Sequence, residues 1–192
     1  MTVGVDIDGT ICDFVTTAVR YFNAALNRSV TIEAAYADYY ALPTLYGLDA
    51  TAFGTLLAHY EPIIYAEAHP FMRARRALED WSVSGHPLVY LTTRPASFRR
   101  LTVEWLERWE FPLGALWHVD SPADKGPLAH RLGVHALVDD HPDVYQSCQA
   151  LTTVPVVVAS QPYNLALPAD SRVWWSDLMK GEDIHDACSI AL

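Results

Sequence analysis

Five short β-branched runs and their spacing constrain this chain more than any other feature. Thr2–Ile7, Pro87–Leu91, Ala115–Val119, Ala136–Val138 and Val154–Ala159 are mostly continuous in apolar residues, the pattern of strands covered on both faces. Helical patterns separate the later runs. In "TTRPASFRRLTVEWLERWE", Pro95 suits a first helical turn and Phe98, Leu101, Trp105 and Trp109 recur at helical spacing. "KGPLAHRLG" closes at Gly133, and "PDVYQSCQAL" follows the fourth run. This alternation predicts a doubly wound, mostly parallel α/β sheet with right-handed crossovers and functional groups at the carboxyl ends of its strands.

The first connection breaks the rhythm, because the run ending near Asp8 is followed by no second convincing strand until Pro87. "FVTTAVRYFNAALN", "TIEAAYADYY" and "DATAFGTLLAHYE" read as helices, interrupted by "ALPTLYGL" with its Pro43 and Gly47. "FMRARRALEDWSVSG" reads as a helix returning to the sheet and ending at Gly85. The expected organisation is an α/β core of residues 1–14 and 71–192, with a small helical cap at 15–70 inserted after the first strand. No internal repeat or low-complexity tract is present.

Composition excludes several classes of function. With 192 residues the chain suits one ordinary domain with a modest insertion. Its formal charge of −10 argues against binding a nucleic-acid polymer, which is held mainly by basic surface. No leader-like segment and no apolar stretch of membrane-spanning length is found, so the reading is a soluble, cytoplasmic protein without a membrane partner. Cys12, Cys148 and Cys188 are odd in number and outside any C-x-x-C pattern, which indicates neither a disulfide framework nor a zinc site. Cys12 reads as a packed thiol.

Four places along the chain carry chemistry. In "VGVDIDGT", Asp6 and Asp8 close a short apolar run just before Gly9-Thr10, and two like charges there require a partner. A simple turn is the bland alternative. A calcium loop fails, because it needs Gly where Ile11 stands and an acid where Thr17 stands. In "LVYLTTRP", Thr92 and Thr93 end a strand before a helix, where hydroxyls and backbone N–H groups suit phosphate oxygens, although Thr is also an ordinary strand residue. Lys125 precedes a helix, a place where a lone Lys is normally solvated and the helix dipole slightly disfavours it unless an anion lies alongside. "HALVDDHPD" delivers Asp139 and Asp140 together at a strand end, and one hard cation could neutralise both acidic pairs.

The ordered set of Asp6-x-Asp8-Gly-Thr, Thr92, Lys125 and Asp139-Asp140 resembles the four motifs of the haloacid dehalogenase (HAD) superfamily, over nearly the whole chain. "DIDGTICDF", "LTTRP", "DDHPD" and "ASQPYNLALP" are similar to elements of its 5′-nucleotidase and deoxyribonucleotidase branch, whose members carry a small helical cap. The resemblance implies a Rossmann-like core and a Mg2+-dependent phosphomonoesterase. Asp6 would be the nucleophile that forms an aspartyl-phosphate, and Asp8 the general acid and base. Thr92 and Thr93 would bind phosphate oxygens, with Lys125 balancing the charge. The Mg2+ ligands would be Asp6, the Asp8 backbone carbonyl, and one of Asp139 and Asp140 directly.

A nucleoside monophosphate is the implied substrate, with a sugar phosphate or other small metabolite as the alternative. A silent module that binds metal or nucleotide is the alternative from another class. Phe14, Tyr39, Tyr40, Tyr46 and Phe53 could meet a base or sugar, or could be core. Arg94 could reach substrate or form an exposed salt bridge. His118, His135 and His141 lack paired metal-ligand spacing and read as neutral, hydrogen-bonded groups. The sequence leaves a homodimer open, and the tail "KGEDIHDACSIAL" could be a short helix or partly disordered.

Overall fold

The computed structural model describes residues 1–175; the tail sequence and Cys188 lie outside the described residues. In chain order the strands are β1 (Val3–Val5), β2 (Cys12–Asp13), β3 (His69–Pro70), β4 (Leu88–Thr92), β5 (Gly114–His118), β6 (Ala136–Asp139), β7 (Val156–Ala159) and β8 (Arg172–Val173). The helices are α1 (Phe14–Leu26), α2 (Ile32–Ala37), α3 (Leu42–Leu45), α4 (Ala50–Glu67), α5 (Met72–Val83), α6 (Arg99–Arg108), α7 (Lys125–Arg131) and α8 (Pro142–Leu151). A six-stranded sheet runs in the order β5-β4-β1-β6-β7-β8. Every neighbouring pair in it is parallel, as the strand-helix alternation predicts. No described helix is long and apolar enough to cross a membrane.

The two-residue alternation of a strand builds a core on each face of this sheet. Val3, Val5, Ile7, Leu88, Tyr90, Ala136, Val138, Val157 and Ala159 join Leu78 and Trp81 of α5 and Trp105 of α6. Their sequence neighbours Val89, Leu91, Leu137, Val156 and Val158 join Leu128 of α7 and Val144 of α8 on the opposite face. Gly4 lies on this second face, where a Cβ would stand 3.0 Å from both Leu137 Cδ1 and Val134 Cγ1. The central strand therefore has no room for a side chain there.

The helices between β2 and β3 share a cluster of their own, centred on Phe22, Tyr46, Leu42 and Ile64. β2 pairs antiparallel with β3, so both ends of this segment are tied together beside the sheet. Asp13 caps α1 by accepting from Thr16 N–H at 3.0 Å, and Asp49 caps α4 by accepting from Ala52 N–H at 2.8 Å. Two details depart from the sequence pattern. The stretch around Pro43 contains the short helix α3, with Pro in its first turn where no N–H is needed. α4 continues past Glu61 and through Pro62 to Glu67, because Ile64 and Tyr65 are buried against the neighbouring helices.

Candidate functional site

The site lies at the carboxyl end of the parallel strands. Asp6 leaves β1 with its N–H donated to Val138 O, and it is 4% exposed. By the strand alternation it falls on the α7/α8 face of the sheet, as does Asp139 two residues beyond Leu137. Lys125 opens α7 on that same face and reaches both: Nζ donates to Asp6 Oδ1 at 2.5 Å and to Asp139 Oδ2 at 2.8 Å. All three side chains are essentially buried. Lys125 thus has the anion that its place at a helix start requires.

Asp140 has a different shell. Its Oδ1 accepts from the Thr10 hydroxyl at 2.7 Å, and its Oδ2 accepts from the Tyr163 phenol at 2.5 Å. Asp139 is held by charge and by backbone instead: His141 N–H donates to its Oδ1 at 2.9 Å and the Lys125 ammonium to its Oδ2. Carboxylate oxygens of Asp6, Asp139 and Asp140 lie within 4.8 Å of one another, so these buried groups could share one cation. Four carboxylates, counting Asp8, face two cations, Lys125 and Arg94. The two negative charges left over match one divalent ion. Oxygen-only donors suit a hard cation such as Mg2+.

Electrostatics express the same imbalance. Burial is the largest effect on Asp6 and, with repulsion from Asp139 and Asp8, outweighs Lys125 and raises its pKa to about 7. Asp140 is raised to about 7, first by burial and then by Asp6, and Asp139 to about 6, first by burial. Lys125 is pulled down by burial but held above its ordinary range by Asp139 and Asp6. Asp8 is paired with Arg94.

The loop carrying these groups is tightly held. Gly9 has φ +87°, and a Cβ there would stand 2.5 Å from Asp140 Oδ2 and 2.6 Å from the Tyr163 hydroxyl oxygen. Gln161 Nε2 donates to Gly9 O at 2.6 Å. Asn164 Nδ2 donates to Asp140 O and to Ala159 O, each at 2.9 Å. The Q-P-Y-N stretch after β7 therefore buttresses both acidic motifs.

A cavity of about 80 Å³ opens here, lined by Asp6, Asp8, Gly9, Phe14, Val15, Tyr39, Thr93, Pro122, Lys125, Asp140, His141 and Tyr163. The structure brings Thr93, not Thr92, to this wall. Thr92 shares the parity of Leu88 and Tyr90, is 1% exposed, and accepts the Arg94 N–H at 3.1 Å. Of the aromatic candidates, Phe14 and Tyr39 line the cavity, while Tyr46 and Phe53 pack on Phe22. Tyr40 packs against Tyr163 and His141.

Arg94 makes a buried ion pair with Asp8 rather than an exposed one, and its guanidinium does not line the cavity. Tyr163, named in the sequence only as part of its tetrapeptide, lines the cavity; the strand-end placement of that element was its one signal. His118 Nδ1 lies 2.8 Å from Arg94 O, His135 Nδ1 accepts from Thr2 N–H, and His141 caps α8. Cys12 and Cys148 are free, buried thiols.

Known proteins resemble this chain in sequence and in fold. A family model described as PITM 1-3, LNS2 domain matches residues 52–145. The chain is 29% identical over 175 residues to a Bacillus subtilis protein named "Putative nucleotidase YqfW", covering 90% of this chain and 86% of that one. It is 27% identical over 170 residues to a Halalkalibacterium halodurans protein also named "Putative nucleotidase", covering 88% and 84%. Among solved structures, a "putative phosphoglycolate phosphatase" from Lactobacillus delbrueckii superposes with TM-score 0.68 at 15% identity, covering 93% of this chain and 96% of that one. A HAD family hydrolase from Deinococcus radiodurans, solved with bound phosphate and sodium, superposes with TM-score 0.64 at 13% identity, covering 99% and 96%. The two structural likenesses are likenesses of fold.

Proposed function

We propose that the chain is a haloacid dehalogenase (HAD) superfamily member and a Mg2+-dependent phosphomonoesterase that carries the phosphoryl group on Asp6 and acts on nucleoside or deoxynucleoside monophosphates. The observation that carries this reading is the buried Asp6–Lys125–Asp139 bridge beside Asp140, at the floor of a cavity that Asp8 also lines. In the first step an Asp6 oxygen attacks phosphorus and the bond to the leaving oxygen breaks, with a proton passing from Asp8 to that oxygen. In the second, water attacks the aspartyl-phosphate, Asp8 takes its proton, and phosphate departs. Lys125 offsets charge on Asp6 and on the transferring group, and Thr93 offers a hydroxyl at the cavity wall, with Thr92 behind it.

Asp6, the Asp8 backbone carbonyl and Asp140 would hold the Mg2+. Asp140 is preferred to Asp139 because it lines the cavity and gives up only neutral hydroxyl partners, whereas Asp139 is bound to the Lys125 ammonium. When bound, Mg2+ supplies charge neutralisation and Lewis-acid withdrawal of electrons from the phosphate. The segment at 15–70 acts as a cap. The cavity of about 80 Å³ is well below the roughly 300–1,000 Å³ usual for a small-molecule site, so the cap must move outward to admit a nucleoside.

The chemistry of the lining supports a neutral leaving group. Phe14, Val15, Tyr39, Pro122 and Tyr163 offer apolar and aromatic surface, and Lys125, the lining residue with a fixed positive charge, is already engaged by two carboxylates. A carboxylate-bearing ester would find no free cation among the lining residues, whereas ribose and base would meet compatible surface. The names of the two bacterial relatives favour the same substrate class.

A panel of phosphate esters assayed with Mg2+ and with chelator tests this. Nucleoside monophosphates should turn over at least about tenfold faster than carboxylate-bearing esters, and chelator should abolish hydrolysis of all. Preference for a sugar phosphate would move the substrate to the other small-metabolite class; turnover indifferent to metal would refute the mechanism.

Metal binding also links to stability. The three carboxylates titrate at about 6 to 7 in the native protein, above an unfolded value of about 4, so the metal-free fold binds extra protons between these limits. Its stability falls as pH rises through that window. Mg2+ competes with those protons. Added Mg2+ should therefore raise Tm by several degrees at about pH 8 and by much less at about pH 5; equal increments would show that Mg2+ does not enter this cluster.

A further inference from the structure

Arg94 is buried on every side and is engaged by more of the fold than a surface ion pair requires. Its side chain is 0% exposed, against 21% for Asp8. Nε donates to Asp8 Oδ2 at 2.7 Å and Nη2 to Asp8 Oδ1 at 2.7 Å, a two-point fork. The guanidinium sits 4.5 Å from the Tyr65 ring centroid and 5.5 Å from that of Trp105. That shelf is itself fixed, since Trp105 Nε1 donates to Ala68 O at 2.7 Å. The Arg94 backbone is pinned as well, its N–H by Thr92 Oγ1 and its carbonyl by the His118 ring.

We propose that Arg94 is a positioning residue, holding the Asp8 carboxylate in one place and one orientation for proton transfer to and from the oxygen at phosphorus. This rests on Asp8 being the acid and base. A direct contact between Arg94 and substrate phosphate does not fit. Both nitrogens facing Asp8 are taken, and Nη1 is buried without a hydrogen-bond partner among the described residues. The fork uses one lone-pair site on each Asp8 oxygen and leaves a second on each for a proton, a water or the leaving oxygen. A carboxylate held at two points cannot rotate about its last bond, so that remaining site keeps its aim. Lys would keep the charge but replace the planar fork by a single point.

The test separates proton transfer from the other steps by the leaving group. Single-turnover release of alcohol is measured with Mg2+ for an alkyl ester, a nucleoside monophosphate, and for an aryl ester whose phenolate departs without a proton. The proteins are wild type, Arg94→Lys, Arg94→Met, Asp8→Asn and the Asp8→Asn/Arg94→Met double variant. Arg94→Met should slow the alkyl ester about 10²-fold and the aryl ester less than tenfold, with KM changed by no more than a few-fold. Arg94→Lys should fall between, with the same ordering of the two esters. In the Asp8→Asn background, Arg94→Met should cost nothing further, because its effect runs through Asp8.

Equal losses on both esters, a KM raised tenfold or more, or additive losses in the double variant would overturn the proposal. So would a folded variant with undiminished alkyl-ester turnover. Circular dichroism and Tm check the fold; where Arg94→Met does not fold, Arg94→Lys carries the same comparison. A wild type that releases neither alcohol with Mg2+ refutes the phosphatase reading, and the proposal falls with it. With a wild type active on both esters and silenced by Asp6→Asn, the phosphatase reading stands and the two-ester comparison bears on Arg94 alone.

Discussion

Replacing Asp6 with Asn lowers phosphomonoesterase activity by roughly 10⁴-fold or more while leaving the fold intact. Removal of the attacking atom leaves only binding and charge stabilisation, and losses of that order or larger accompany the loss of a nucleophile. The change is nearly isosteric, and Lys125 keeps Asp139 as its partner at 2.8 Å. It also removes one of three carboxylates that the site repels at neutral pH, where Asp6 is raised to about 7 chiefly by burial. Without Mg2+ at about pH 8, the variant should therefore match or exceed the wild-type Tm, and its gain on adding Mg2+ should shrink. Activity within tenfold of wild type would remove Asp6 from the mechanism.

Asp8→Asn, two residues along, gives a contrasting result. Loss of the acid and base costs about 10²–10⁴-fold in turnover. Stability also falls, because the fully buried Arg94 guanidinium loses the charge that faces it at 2.7 Å. Removing one partner of a buried pair costs about 3–5 kcal/mol, and the partial exposure of Asp8 places the expected loss nearer about 2–3 kcal/mol. For a chain of this size that is a Tm drop of very roughly 5–10 °C. Asp6→Asn is inactive and stable; Asp8→Asn is slowed and weakened. Thermal melts of the two variants side by side check the contrast, and a Tm for Asp8→Asn equal to wild type would show that the Arg94 pair carries no net stabilisation.

The sheet was legible because its strands are covered on both faces. Val3, Val5 and Ile7 pack to one side while Leu137, Val156 and Val158 pack to the other, which writes each strand as a continuous apolar run. The order of carboxylate pair, threonines, lysine and second carboxylate pair was legible for a related reason: parallel strands deliver all their carboxyl ends to one edge. The two-residue strands β2, β3 and β8 were not, since so short a segment carries no period. Nor was the extent of α4, where packing of Ile64 and Tyr65 outweighs the lost N–H of Pro62.

Partnerships across the site were the least legible part. Arg94 and Asp8 are 86 residues apart, and an Arg beside a Pro looks like surface until Tyr65 and Trp105 enclose it. Asp139 and Asp140 are alike in sequence, and only the alternation of β6 turns one toward Lys125 and the next toward the cavity and Tyr163. Thr92 and Thr93 divide by the same rule.

The central claim is that Asp6 carries the phosphoryl group, and acid-quenched turnover tests it most directly. Asp8→Asn, slow to hydrolyse the intermediate, is mixed with Mg2+ and an aryl phosphate, quenched, and digested for mass spectrometry of the peptide containing Asp6. The predicted result is a phosphoryl group on Asp6 that appears with phenol release and is absent from Asp6→Asn. Phenol released with no phosphorylated peptide, or with phosphate on another residue, would contradict it.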